Sequence, residues 1–200
     1  MFKSRIDEVL ELVKKEGILR PRDLKMHGFP REYLNRLYRS GLVNRTSRGL
    51  YVATDIDLSE HHSLAEACKK VPKGAICLIS ALRFHNLTTQ SPSEVWIAID
   101  YKARLPRIKE LAVRFVRFSG EALNAGIEEQ RIENIRVRVF NPAKTVADCF
   151  KYRNKIGLDV ALEALRECWR ERRCTIDEIY HYARICRVTN IIQPYLESVQ

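Results

Sequence analysis

Residues 30–53 read PREYLNRLYRSGLVNRTSRGLYVA, and the fold of the first quarter of the chain turns on how this stretch divides. An α-helix advances by about 100° per residue, so one begun at Pro30 gathers Tyr33, Leu34, Leu37 and Tyr38 into one sector. Arg31, Glu32, Asn35, Arg36 and Arg39 fall in the opposite one. Pro30 suits the first helical position, where no N–H is needed, and Gly41 suits the left-handed position just past the end. The expectation is a helix of roughly three turns with an apolar, aromatic dry face and a wet face of arginines and an amide. Leu42-Val43 and Leu50-Tyr51-Val52 then read as two short strands, joined by a polar loop from Asn44 to Gly49 that holds Arg45 and Arg48.

Upstream, Ser4-Arg5-Ile6-Asp7 has the capping-box pattern, and Ile6, Val9, Leu10 and Val13 recur at helical spacing up to Gly17. Pro21 to Met26, with Leu24 inward, reads as a short second helix ended near Gly28. Helix, short helix, basic helix and β-hairpin is the order of a winged helix-turn-helix, a module that lays its third helix in the DNA major groove. Charge agrees with this. Residues 1–54 hold 12 Lys/Arg against 6 Asp/Glu, which is +6 of the chain's net +10. Positive charge concentrated on one small fold favours nucleic acid, because each neutralised phosphate releases condensed counterions. Arg31, Asn35, Arg36 and Arg39 are expected to face the major groove, and Arg45 and Arg48 to meet the backbone or minor groove from the wing.

The whole chain has 200 residues, 46% apolar and 30% charged, an ordinary globular composition with room for two small domains. Its apolar runs, such as Ala75 to Ile79, fall far short of a membrane span, and the first residues lack the apolar core of a signal peptide, so a cytoplasmic location with reduced thiols is expected. Six cysteines (Cys68, Cys77, Cys149, Cys168, Cys174 and Cys186) show no C-x-x-C and no paired Cys/His spacing. They read as structural thiols, with Cys77, Cys149 and Cys186 as buried small hydrophobes. His61-His62 and His85 lack a nearby carboxylate cluster, so neither a metal nor another cofactor is expected. Signatures of phosphate-binding loops, dinucleotide folds, zinc proteases and serine hydrolases are absent.

Thr54 to Ser59 reads as a linker ending in an N-cap, which divides the chain into a DNA-binding domain at 1–54 and a second domain at 59–200. Ser59 to Val71 is helical by pattern and is stopped by Pro72 and Gly74. Ala75 to His85 fits a buried helix or a strand, with helix slightly favoured. Val95 to Ile99 suits a strand buried on both faces, Val113 to Phe118 is a second strand, and Ile135 to Phe140 alternates with Arg136 and Arg138 outward. Helices follow: Asn141 as N-cap with Pro142 behind it, a stripe of Leu158, Leu162, Leu165 and Trp169, and a capping box at Thr175 to Glu178. The fold class is α+β, an N-terminal winged helix-turn-helix followed by a mixed domain with a small sheet and a run of helices. Arg136 and Arg138, with the basic run Arg166, Arg170, Arg172 and Arg173, form the candidate interaction surface of that domain.

Two blocks of the second part, AICLISALRFHNLTTQSPSEVWIAID (Ala75 to Asp100) and NPAKTVADCFKYRNKIGLDVALEAL (Asn141 to Leu165), resemble those of AbiEi-family antitoxins, and the preceding winged helix matches that family's N-terminal domain. The resemblance implies a type IV toxin-antitoxin component that represses its own operon through the winged helix. It also implies a C-terminal domain that counters a nucleotidyltransferase-like toxin without a stable complex. No catalysis by the chain itself is expected.

Two other classes compete with this reading. Asp100-Tyr101-Lys102 after a hydrophobic strand matches the D-x-K half of a restriction-type nuclease site, which needs a further acid to hold Mg²⁺. The nearest upstream acid, Glu94, lies on the same strand. A stand-alone regulator with a ligand-sensing second domain needs a pocket with convergent polar groups, which sequence does not reveal.

Overall fold

The computed structural model describes residues 4–47, 49–55, 59–108 and 111–198. Arg48 and part of the expected linker, 56–58, therefore lie outside the described residues.

The chain begins with α1 (Arg5–Glu16), α2 (Pro21–Met26) and α3 (Glu32–Arg39), followed by the antiparallel pair β1 (Val43–Ser47) and β2 (Leu50–Ala53). α1 opens on the capping box read from sequence: Ser4 Oγ accepts the Asp7 N–H at 3.3 Å and the Asp7 carboxylate accepts the Ser4 N–H at 3.0 Å. Gly41, at φ 73°, closes α3 in a Schellman motif, its N–H donating to the Tyr38 carbonyl at 3.1 Å while the Leu42 N–H reaches Leu37 at 3.0 Å. Val9, Val13, Leu24, Leu34, Leu37, Val43 and Tyr51 make the core of this module. Leu19 exchanges two backbone hydrogen bonds with Tyr51, both 2.9 Å, which adds a third segment to the wing.

α4 (His62–Lys70) follows. Ser59 does not cap it; its N–H and hydroxyl donate to Glu133 Oε1 at 2.9 and 3.0 Å, and His62 Nδ1 lies 2.7 Å from Glu133 Oε2. Next come β3 (Ala75–Ile76), α5 (Leu78–Phe84), β4 (Val95–Asp100), β5 (Val113–Phe118), α6 (Glu121–Asn124), β6 (Ile127–Ile132) and β7 (Ile135–Phe140). The stretch 75–85 thus holds both a short strand and a helix, with Cys77 at the N-cap between them. The sheet runs β5-β4-β3-β7-β6. β4 is parallel to β5 and antiparallel to β3, and β3 is parallel to β7. Glu133 and Asn134, both at positive φ, turn β6 into β7.

Five helices complete the chain: α7 (Pro142–Lys151), α8 (Arg153–Ile156), α9 (Leu158–Arg170), α10 (Ile176–Cys186) and α11 (Thr189–Glu197). Asn141 caps α7 as its sequence requires, Oδ1 accepting the Lys144 N–H at 2.8 Å. α7 is packed by α5, α9 and α10, and every residue from Ala143 to Phe150 is buried, Lys144 and Asp148 included. The helical stripe read along α9 is rotated in the fold. Its buried face is Val160, Ala161, Ala164, Leu165 and Cys168, while Leu158 and Trp169 are 37% and 40% exposed. The small side chains let α9 approach α7 closely and leave the larger ones at the margin. Cys168 and Cys174 form a disulfide with Cα atoms 6.3 Å apart, a correction to the expectation of six free thiols. The helix end folds Cys174 back, with Arg172 left-handed (φ 49°) and the Arg173 N–H bonded to Cys168 O at 3.0 Å. Cys77, Cys149 and Cys186 are buried free thiols.

The chain forms two compact units. One comprises Met1–Lys70, Ile108–Leu111 and Arg131–Val137, and the other Val71–Arg107, Ala112–Gln130 and Arg138–Gln200. These divide the chain differently from segments 1–54 and 59–200: α4 and the β6–β7 turn group with the winged helix, and Glu133 ties that turn to Ser59 and His62. Asn134 Nδ2 adds a bond to the Lys15 carbonyl at 2.5 Å, and a Cβ at Gly17 would run into the Glu133 carbonyl.

Candidate nucleic-acid interface

α3 is shorter than its sequence pattern suggests, eight residues with Arg31 as N-cap and Pro30 outside. Leu34 and Leu37 are buried, and Arg31, Asn35, Arg36 and Arg39 are all exposed, so the structure brings these four together on the solvent side of one short helix. Tyr38, assigned by periodicity to the dry face, is 51% exposed and meets the edge of Tyr51 with ring centroids 6.4 Å apart. The helix ends one residue later, so nothing of α3 itself covers that ring. Arg36 lies over the Tyr33 ring at 5.6 Å, and the Tyr51 hydroxyl donates to Asn35 Oδ1 at 3.4 Å. These contacts orient two of the four polar side chains from the module's own aromatics.

The strands are longer and their loop shorter than expected. Arg45 lies within β1, exposed and opposite Tyr51 in the register, followed by a bulge before Ser47. A side chain on a paired strand is held more firmly than one on a free loop. Sequence reasoning missed two further cations, Arg22 and Lys25, one turn apart on α2. With Phe29, Arg31, Glu32 and Asn35 they line an open groove between α2 and α3. The signal was available: they lie two residues before and one residue after Leu24, the buried residue of α2. Asp23 between them accepts from Lys69 Nζ at 3.0 Å and from the Arg20 N–H at 3.1 Å, with Arg22 Nε 3.8 Å from its other oxygen.

The second group of candidates is divided between the two units. Arg136 is exposed on β7 and groups with the first unit, whereas Arg138, Arg166 and Arg170 belong to the second. Arg138 is half-buried and donates to the Lys73 carbonyl at 2.9 Å. Arg166 is exposed on α9, and Arg170 is turned to Glu167 and Glu171, 2.5 and 3.2 Å away. Asp100 and Glu94 stand at opposite ends of β4, a separation of about 20 Å along a strand of this length. Asp100 Oδ1 accepts the Lys102 N–H at 2.7 Å, and Glu94 pairs with Arg114 at 2.7 Å. The acids needed for a D-x-K metal site are not brought together. His85 is a satisfied core histidine: burial pushes its imidazole below the ordinary value, and Nε2–H donates to the Phe140 carbonyl at 2.8 Å. Among the described residues no three of His, Cys, Asp and Glu converge on a metal-sized site, and no helix is long and apolar enough to cross a membrane.

The class defined by this geometry is a winged helix-turn-helix protein with an appended mixed α+β domain. Residues 7–54 match the family described as transcriptional regulator, AbiEi antitoxin. The RV2827C protein from Mycobacterium tuberculosis, known from a crystal structure, has a similar fold: TM-score 0.52 at 12% identity, over 96% of this chain and 80% of that one. Among the curated proteins none matches this chain.

Proposed function

We propose that this protein is the antitoxin of a type IV toxin-antitoxin pair, which represses its own operon through the winged helix of residues 1–54. In this reading residues 59–200 counter a nucleotidyltransferase-like toxin without a stable complex, and the chain catalyses nothing and needs no cofactor. The observation that carries the proposal is the single exposed face of α3, where Arg31, Asn35, Arg36 and Arg39 converge on a segment that matches AbiEi regulators. Arginine reads guanine bidentately and asparagine reads adenine, each good pair discriminating by about 1–3 kcal/mol. Arg45 on β1, and Arg48 beyond it in sequence, supply phosphate contacts from the wing.

Fluorescence anisotropy with the protein's own promoter duplex tests this. Arg36→Ala with Arg39→Ala is expected to weaken binding at least tenfold and to erase discrimination against a scrambled duplex. Arg45→Ala weakens both duplexes alike and lowers the salt slope by about one unit. Wild-type affinity in the α3 double variant removes α3 from the interface.

A further inference from the structure

α9 ends beside a second open groove, lined by Trp169, Arg170, Arg172, Arg173, Asp177 and Glu178. We propose that this groove binds single-stranded nucleic acid, with an unpaired base stacked on Trp169 and the backbone held by Arg172 and Arg173. The proposal is independent of the winged-helix reading.

Trp169 has a stacking face to offer. It is 40% exposed, whereas the chain's other tryptophan, Trp96, is 5% exposed. An indole left in water forfeits apolar burial that the same helix secures with Leu165 and Cys168. The cations beside it are available as well. Arg172 and Arg173 are exposed and make no ion pair among the described residues, whereas Arg170 is engaged by Glu167 and Glu171. The backbone that carries them is also held in place. The Cys168–Cys174 disulfide closes a ring around them, and inside it the Arg172 and Arg173 N–H groups bond to Trp169 and Cys168 carbonyls at 3.1 and 3.0 Å. A preformed arrangement lowers the ordering cost of binding.

The opposite wall decides between ligand forms. Glu178 is spent on the capping box of α10, accepting the Thr175 N–H at 2.7 Å, so the helix terminus already has its anion. Asp177 and Glu178 repel a second line of phosphates. A duplex presents phosphates on both strands and hides its base faces in its own stack, whereas a single strand can lay its backbone on the arginine wall and turn a base onto the indole.

The full-length protein is titrated into labelled ten-nucleotide RNA and DNA of one mixed sequence and into the corresponding DNA duplex. Both single strands should quench the exposed tryptophan. Trp169→Ala should weaken single-strand binding at least about fivefold while Trp169→Phe retains most of it. Arg172→Ala with Arg173→Ala should reduce the single-strand salt slope by about 1.4, roughly 0.7 per phosphate. None of these changes should move duplex affinity. A preference between the two oligomers identifies RNA or DNA as the source. Should Trp169→Ala fail a circular-dichroism test of folding, the arginine pair, fully on the surface, gives the reading alone. Single-strand affinity and salt slope unmoved by the arginine pair, or a loss of duplex binding equal to the loss for single strands, overturns the proposal.

Discussion

Lys144 and Asp148 stand one helical turn apart on α7 with no exposed surface, their charged atoms 2.5 Å apart. Lys144 Nζ lies 4.2 Å from the Phe140 ring centre and 5.0 Å from that of Phe118, and Asp148 Oδ1 also accepts from Cys186 Sγ at 3.1 Å. Burial pushes the Asp148 carboxyl above its ordinary value, and Lys144 pulls it back down. The same burial, with Asp148 beside it, pushes the Cys186 thiol up to about 12. Desolvating two charges costs several kcal/mol each, so the pair contributes little net stability, but either member left alone is costly. Lys144→Met is expected to destabilise by about 3–5 kcal/mol in urea unfolding, and Lys144→Met with Asp148→Leu to regain most of that loss. If the double variant is no more stable than the single one, the pair is more than charge compensation. Nothing in the stretch NPAKTVADCFK marked these two residues, because i,i+4 opposite charges usually lie on a wet face.

Among the elements, α2 and α4 are tied by Asp23 and Lys69, whose charged atoms lie 3.0 Å apart with side chains 19% and 15% exposed. Partial burial alone raises the Asp23 carboxyl, but the hydrogen bond and charge of Lys69, with the Arg20 N–H, hold it below its ordinary value. A depressed carboxyl adds stability that is fully present above the unfolded value of about 3.9 and is lost as pH falls through the folded value. Lys69→Met should therefore cost about 1 kcal/mol at neutral pH and little at pH 2–3, read as melting temperature against pH. An equal loss at both ends of that range would assign the effect to packing. Elements were legible where local rules sufficed: the Ser4 and Thr175 capping boxes, the Asn141-Pro142 start and the Gly41 stop all sit where their side chains or φ angles demand. β6 was missed because its central residues, Glu128 to Arg131, are exposed, as on a sheet edge, so no apolar period announces it. β3 escaped because two residues carry no period.

At the scale of the molecule, the proposed division of labour predicts a separation of function in the full-length chain. Arg36→Ala with Arg39→Ala should lose repression of a promoter reporter yet still protect cells expressing the cognate toxin. Loss of protection by this variant, at unchanged abundance and melting temperature, would place antitoxicity in the winged helix and defeat the division. What the sequence by itself determined is the set of local facts behind this proposal: the order of helices and hairpin, the solvent face of α3 and the concentration of charge in residues 1–54. Each depends on residues within about one or two turns of one another, the reach of helical periodicity and capping. Only the tertiary structure decided which faces were covered. It buried Lys144 and Asp148 by surrounding α7 with α5, α9 and α10, and it rolled Trp169 out of the stripe that periodicity assigned to the core. It also joined Cys168 to Cys174 and fastened Glu133 to Ser59 and His62, more than 70 positions away in the chain. Periodicity divides an element into faces, but the elements that close over each face come from distant sequence, and their packing settles what a buried or exposed residue can do.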